Sequence, residues 1–256
     1  MSFLNQINNA NVLIVGASQG IGLGFVQKLL QDVRIAKIYA TYRNPVSASD
    51  LLALAGENSE RLICLSLDIT DESQIAEVAQ KIRVDVKKLH LVINCVGLLH
   101  DGNLQPEKSL RQLNSENLLR YFQINSIGAV LLAKHLLPLF RHQERSVFAC
   151  ISAKLGSIYD NQLGGWYGYR ASKAALNMFM RTAAIEYARS SPKTLVVTLH
   201  PGTTDTRLSR PFQGNVSPEK LFSVERTVTQ LLAVIEQLQS VDSGQFFSWD
   251  GSQLPW

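Results

Sequence analysis

Cysteine is scarce in this chain. Cys64, Cys95 and Cys150 are odd in number, far apart over 256 residues, and each set in an apolar run. That excludes a disulfide framework and points to reduced thiols in a reducing compartment. Histidine does not supply a metal site either: His100 and His200 have no partner at ligand spacing and read as satisfied loop or core residues, so no metal is expected. Blocks of like charge are missing. The formal charge is +4, with Lys and Arg scattered along the chain, which argues against a nucleic-acid partner and fits a mildly basic pocket. No apolar run is expected to reach bilayer length, and the first residues, MSFLNQINNANVLIVG, lack a basic stretch followed by a long apolar one. A cytoplasmic protein with no membrane partner is the expectation. Repeats, low-complexity tracts and long linkers are absent as well, leaving residues 1–256 as one domain of ordinary globular composition.

What the chain does have is an alternation. Short β-branched apolar runs at 11–16, 37–42, 61–67, 89–97, 146–152, 194–200 and 244–251 read as seven strands. Between them lie helix-like segments at 20–33, 71–84, about 114–140, up to 190 and 218–239, with Asp71 as a cap. Continuous apolar strands separated by helices predict an α/β fold, a single-domain, Rossmann-type, doubly wound parallel sheet of seven strands. Such sheets bind ligands at the carboxyl ends of their strands, so the informative residues should follow each strand.

The first strand is followed by GASQGIG. Gly16, Gly20 and Gly22 permit close approach of backbone to a ligand, and the helix beginning there turns its free N–H groups and positive end toward a pyrophosphate. Ser18, Gln19 and Ile21 complete this turn. The second strand ends in TYRNP, with no carboxylate to hold a ribose 2′-hydroxyl; Arg43 stands there instead, and its planar fork suits a 2′-phosphate. The pair of observations favours NADP(H) over NAD(H). Asp68 and Ile69 follow the third strand, where they meet an adenine or serve as a turn. NCVG after the fourth strand brings Asn94, Val96 and Gly97 to the cofactor.

In GGWYGYRASKAAL, Tyr169 and Lys173 are four apart and share a helix face, whereas Tyr167 and Lys173 do not. A phenol titrates near 10, and a neighbouring cation favours its ionised form. Taken alone, so short a pattern fits an aromatic packing residue beside a snorkelling lysine better. It stands in order, however, after the glycine turn, NCVG, Asn125 in INSIG and a strand ending at Ser152. In that order the chain resembles the short-chain dehydrogenase/reductase family over essentially its whole length, and GSIYDNQLGGWYGYRASKAALN resembles the C-factor and sniffer-type carbonyl reductases within it. The resemblance implies catalysis by Asn125, a serine, Tyr169 and Lys173, with Tyr169 as general acid/base and Lys173 also holding the cofactor. It further implies that Pro201, Gly202, Thr204 and Thr206 in HPGTTDTRLS contact the cofactor, that the substrate is a small carbonyl or alcohol, and that the protein is a homodimer or homotetramer.

One position departs from the family. Counting back from Gly156, the family's serine falls on Ala153. A bulge turning Ser152 inward, replacement by Ser157 or a water, and an impaired enzyme are the three arrangements open; Ser152 is taken as the expected residue because geometry relaxes at a strand end. Neighbouring strand residues face opposite sides, so a one-residue offset matters. The rivals to a carbonyl reductase are a dinucleotide-binding signalling protein with little catalysis, and an enoyl reductase or epimerase on the same scaffold. Segments 98–110 and 207–222 are candidate lids; Leu98, Leu155, Trp166 and Phe212 are candidate pocket walls. The aromatic FFSWDGSQLPW reads as core packing or a subunit contact.

Overall fold

The computed structural model describes residue 7 and residues 9–256; the start of the stretch read above for a leader lies outside the described residues. Strands β1 (Ala10–Val15), β2 (Ile35–Tyr42), β3 (Leu62–Ser66), β4 (Leu91–Asn94), β5 (Ser146–Ile151), β6 (Thr194–His200) and β9 (Phe246–Ser248) form one sheet in the order β3-β2-β1-β4-β5-β6-β9. Every neighbouring pair is parallel. The two-residue strands β7 (Thr203–Thr204) and β8 (Leu221–Phe222) form a separate small ladder. The chain winds outward from β1 through β2 to β3, then returns to place β4 on the other side of β1. That reversal is the switch point at which a parallel sheet opens a crevice.

Alternation along β1 explains the layering. Leu13 and Val15 face one apolar layer, Val12 and Ile14 the other, and both layers are closed by helices. The first layer packs on α3 (Glu72–Val86), α4 (Ser115–Phe122), α5 (Gly128–Leu136) and α6 (Tyr167–Ser190); the second packs on α1 (Gly20–Leu30), α2 (Ser49–Glu57) and α7 (Val224–Gln237). Strands buried on both faces are what the unbroken apolar runs require. Asp71 caps α3 as expected, its side chain accepting from the N–H groups of Ser73 and Gln74.

Four expectations need correcting. The fourth strand, expected over 89–97, covers only Leu91–Asn94. The helix expected over 218–239 starts only at Val224, because Ser223 caps it by accepting from Arg226 N at 3.1 Å, while Leu221–Phe222 pairs with β7 instead. The last strand is shorter than 244–251. Phe246 and Phe247 are buried, Trp249 packs edge-on to Phe222 and Trp256 stacks on Phe246, so this aromatic segment serves packing within the chain. Finally, the continuous helical stretch Ser115–Phe140, with mean hydropathy 1.2 in its most apolar window, is long and apolar enough by composition to cross a membrane. Half of that window is buried inside the fold, with Leu132 and Leu136 in the core.

Candidate active site

A cleft of about 440 Å³ runs across the carboxyl ends of β1, β2, β4 and β5. One half is built from the glycine turn. Gly16 adopts φ +77, and its N–H donates to Thr41 Oγ1 at 3.0 Å, tying the turn to the end of β2. A Cβ on Gly22 would stand 2.2 Å from Gly16 O, so the turn closes this tightly only without one. Helix α1 begins at Gly20 with no side-chain cap, leaving its first N–H groups and positive end toward the cleft. Ser18, Gln19, Gly20 and Ile21 line the cleft here. Arg43, exposed at the end of β2, lines it on one side; Asp68 and the buried Ile69 line it on another. Asp68 Oδ1 is occupied by Thr70, accepting from its N–H at 2.9 Å and its hydroxyl at 2.7 Å. The close backbone approach, open helix end and exposed Arg43 fit a dinucleotide bearing a 2′-phosphate.

The other half of the cleft is floored by α6. Tyr169 is 7% exposed and Lys173 2%, and both line the cleft, whereas Tyr167 is more than a third exposed on the outside. The phenol hydroxyl makes no hydrogen bond among the described residues. Lys173 Nζ donates to Ile151 O at 3.0 Å and lies 5.9 Å from the centre of the Tyr169 ring. Burial sets the titration of both groups. It pushes Tyr169 above the ordinary phenol range and pulls Lys173 down to about 8, Cys95 and Cys150 opposing that fall. In the free protein burial therefore works against ionisation of the phenol, opposing what a neighbouring ammonium favours.

Asn125 sits at the centre of a π-turn over Gln123–Ile127, a widening of the helix that recurs at functional sites. Its side chain clamps Leu98, accepting from Leu98 N at 2.6 Å and donating to Leu98 O at 2.9 Å, and also donates to Ser172 Oγ at 2.9 Å. Ser172 in turn donates to Tyr169 O at 2.8 Å. The asparagine thus links the turn after β4 to the helix carrying the phenol. Ser152 lines the cleft, but its hydroxyl donates to Asn177 Oδ1 at 2.7 Å. Ala153 is buried in the same apolar layer as Tyr169.

Val96, Gly97, Pro201 and Thr206 also line the cleft. Asn94, Gly202 and Thr204 are not among its lining residues. Asn94 is buried behind it, accepting from Val96 N at 3.1 Å. Gly202 backs onto Phe222 and Trp249. Thr204 turns its hydroxyl to Thr227 on α7 at 2.8 Å. Leu98 is a wall as expected, but Leu155 lines a separate shallow depression of about 260 Å³. Trp166 and Phe212 pack edge-on at 4.8 Å, and His100 meets Phe212 at 5.7 Å while its Nε2 reaches Arg207 O at 3.3 Å. The His100 contacts join the two segments expected as lids, while Trp166 and Phe212, expected as walls, are not among the cleft's lining residues. His200 is not the satisfied residue anticipated: its Nδ1 has no partner among the described residues, and burial lowers the ring to about 4, keeping it neutral. Sequence reasoning missed Thr41, Cys95 and Ile124 in the lining. Only Thr41 carried a signal, as the last polar residue of a strand beside the glycine turn.

Residues 10–216 match the family model for short chain dehydrogenases. A benzil reductase ((S)-benzoin forming) of Saccharomyces cerevisiae is 30% identical over 81% of this chain and 76% of its own. The fold superposes on an NADPH-bound carbonyl reductase from chicken fatty liver with TM-score 0.87, at 29% identity, covering 98% of this chain and 95% of the other. It superposes on the carbonyl reductase Sniffer of D. melanogaster with TM-score 0.85, at 27% identity, covering 97% and 100%.

Proposed function

The chain belongs to the short-chain dehydrogenase family, and from that premise we propose that it is an NADP(H)-dependent reductase of small apolar carbonyl compounds. One observation carries this reading: a buried phenol and a buried ammonium, one helical turn apart, floor the same cleft whose far end holds an uncapped helix and Arg43. NADPH bound in this cleft supplies the hydride for the carbonyl carbon. Gly16, Gly20 and Gly22 hold its pyrophosphate, Arg43 its 2′-phosphate, and Asp68, Ile69, Val96, Gly97, Pro201 and Thr206 its remaining edges. Asn94, Gly202 and Thr204 act from behind, by fixing the turns that carry these groups.

Tyr169 Oη gives its proton to the carbonyl oxygen of the substrate as negative charge develops there. Lys173 Nζ, protonated at neutral pH, stabilises the phenolate left behind, and the buried setting strengthens that attraction. Asn125 spends both amide hydrogens on Leu98 and Ser172, which leaves its side chain no donor for a water relaying protons to Lys173. Ser152 polarises the substrate only by giving up Asn177, because one hydroxyl carries one proton. The apolar walls Leu98, Leu99, Ile124 and Leu208 favour an uncharged substrate; the benzil reductase and carbonyl reductase relatives support that choice.

The test is NADPH consumption with a panel of aldehydes and diketones, followed at the nicotinamide absorbance. Consumption is expected with apolar carbonyls. Tight NADPH binding without consumption across the panel would favour a signalling role instead. The cofactor choice is tested separately by Arg43→Ala. Loss of a charged hydrogen bond to phosphate, about 1.5–3 kcal/mol, should weaken NADPH by roughly 10- to 150-fold while leaving NADH nearly unchanged. An equal effect on both cofactors would remove Arg43 from the 2′-phosphate.

A further inference from the structure

Helix α6 carries the proposed proton donor in its first turn, yet it brings no cap of its own. The residue before it, Trp166, sits in the left-handed region at φ +54 and offers no side-chain acceptor to the first N–H groups. A bulky residue rarely adopts that conformation unless its surroundings impose it. Gly168 is buried, and an unpaired buried N–H costs about 1–3 kcal/mol. Both needs are met by one residue 61 positions before Gly168. The backbone oxygen of Glu107 accepts from Trp166 N, and Glu107 Oε2 accepts from Gly168 N at 3.1 Å.

Glu107 is 3% exposed, and its Oε1 has no hydrogen-bond partner among the described residues. A buried side-chain oxygen with no partner is costly to leave so. The positive end of α6 stands directly against it. Gly168 supports the same contact. A Cβ there would lie 2.4 Å from Tyr121 Cδ2 and 3.0 Å from Glu107 Oε1. Glycine within a helix costs about 1 kcal/mol against alanine, and here its bare Cα is what lets the ring and the carboxylate close in. Tyr121 is anchored by donating to Leu99 O at 2.6 Å and meets Tyr169 edge-on at 6.5 Å; Trp166 meets Tyr169 edge-on at 6.2 Å. Glu107 therefore meets the start of α6 twice, its carbonyl holding Trp166 N and its carboxylate holding Gly168 N where the Tyr121 ring packs.

We propose that Glu107 is a positioning residue, a cap supplied from outside the catalytic helix that fixes Tyr169 for proton transfer. This rests on reading Tyr169 as the donor. A misplacement on the order of 1 Å is enough to cost about a hundredfold in rate.

The experiment compares Glu107→Ala, Glu107→Gln and Glu107→Asp at a temperature where circular dichroism reports each as folded. Glutamine keeps the length and an acceptor oxygen. Aspartate keeps the charge but is one methylene short. The expected order in kcat is wild type and Gln first, then Asp, then Ala, with Ala about 10- to 100-fold down and KM and NADPH affinity essentially unchanged. Hydrogen exchange at the Gly168 amide, which needs no substrate, should accelerate in Ala and Asp and not in Gln. Two results would overturn the proposal: a wild-type-like kcat or Gly168 exchange rate in Ala, or an Asp variant as active as Gln. Should Ala not fold, the Gln–Asp comparison alone decides. Failure of the underlying reading is distinguishable, since it appears as Tyr169→Phe retaining turnover, whatever Glu107 does.

Discussion

Tyr169→Phe is expected to lower carbonyl reduction by about a thousandfold, within the span of about 10²–10⁴ that general acid catalysis supplies, while NADPH binds as before. The substitution removes a single oxygen. That oxygen has no hydrogen bond among the described residues, so its loss leaves no orphaned partner, and the ring stays between Tyr121 and Trp166. A large fall in turnover therefore reports chemistry and not misfolding. Ser152→Ala serves as the contrast. Its hydroxyl is held by Asn177, so its removal should cost about 1 kcal/mol of stability and much less turnover than loss of the phenol. Steady-state kinetics of both variants, with NADPH affinity measured alongside, decide the matter. Substantial turnover in Tyr169→Phe would remove the phenol from its assigned role, and equal large losses in the two variants would give Ser152 a share in the chemistry.

Gly22→Ala is expected to weaken NADPH and NADH together. The added Cβ would stand 2.2 Å from Gly16 O and 3.0 Å from the Cα of Ala17, both backbone atoms with no rotamer through which to move away. The turn itself must shift, and with it the N–H groups that face the pyrophosphate. Overpacking of this kind costs about 1–3 kcal/mol, which corresponds to roughly 5- to 150-fold in affinity. Fluorescence titration with each cofactor separates this from the Arg43 effect: Gly22→Ala acts on both, Arg43→Ala on the phosphorylated one. Unchanged affinity in Gly22→Ala would mean that the turn does not meet the pyrophosphate.

The sheet was legible because its inner strands β1, β4, β5 and β6 are buried on both faces, which forces apolar runs such as VLIV and LVV and leaves little room for another reading. The glycine turn and the Tyr169–Lys173 pair were legible because each is local: a backbone turn in one case, one helical turn in the other. What escaped was long-range choice of partner. Ser152 reaches Asn177 across 25 positions, Gly168 reaches Glu107 across 61, and Thr204 chooses Thr227 over the cleft. Nothing in the local pattern of those residues announces the partner. The start of α7 was misjudged for a related reason. Residues 218–222 carry helix-forming side chains, but Leu221–Phe222 is drawn into pairing with β7, a tertiary preference that local propensity does not report.

The phenol's acidity is set by a balance that spacing alone does not report. Spacing correctly placed an ammonium on the same helix face, yet burial in the free protein works against it and raises Tyr169. The account then requires a second positive charge before the phenol becomes useful near neutrality, and the oxidised nicotinamide is the one the cleft would receive. This can be measured directly. Ionisation of Tyr169 is followed as the ultraviolet difference between wild type and Tyr169→Phe during a pH titration, with and without NADP⁺. The account predicts a phenol that ionises above the ordinary tyrosine range in the free protein and well below it with NADP⁺ bound. An ionisation that NADP⁺ leaves in place would contradict it.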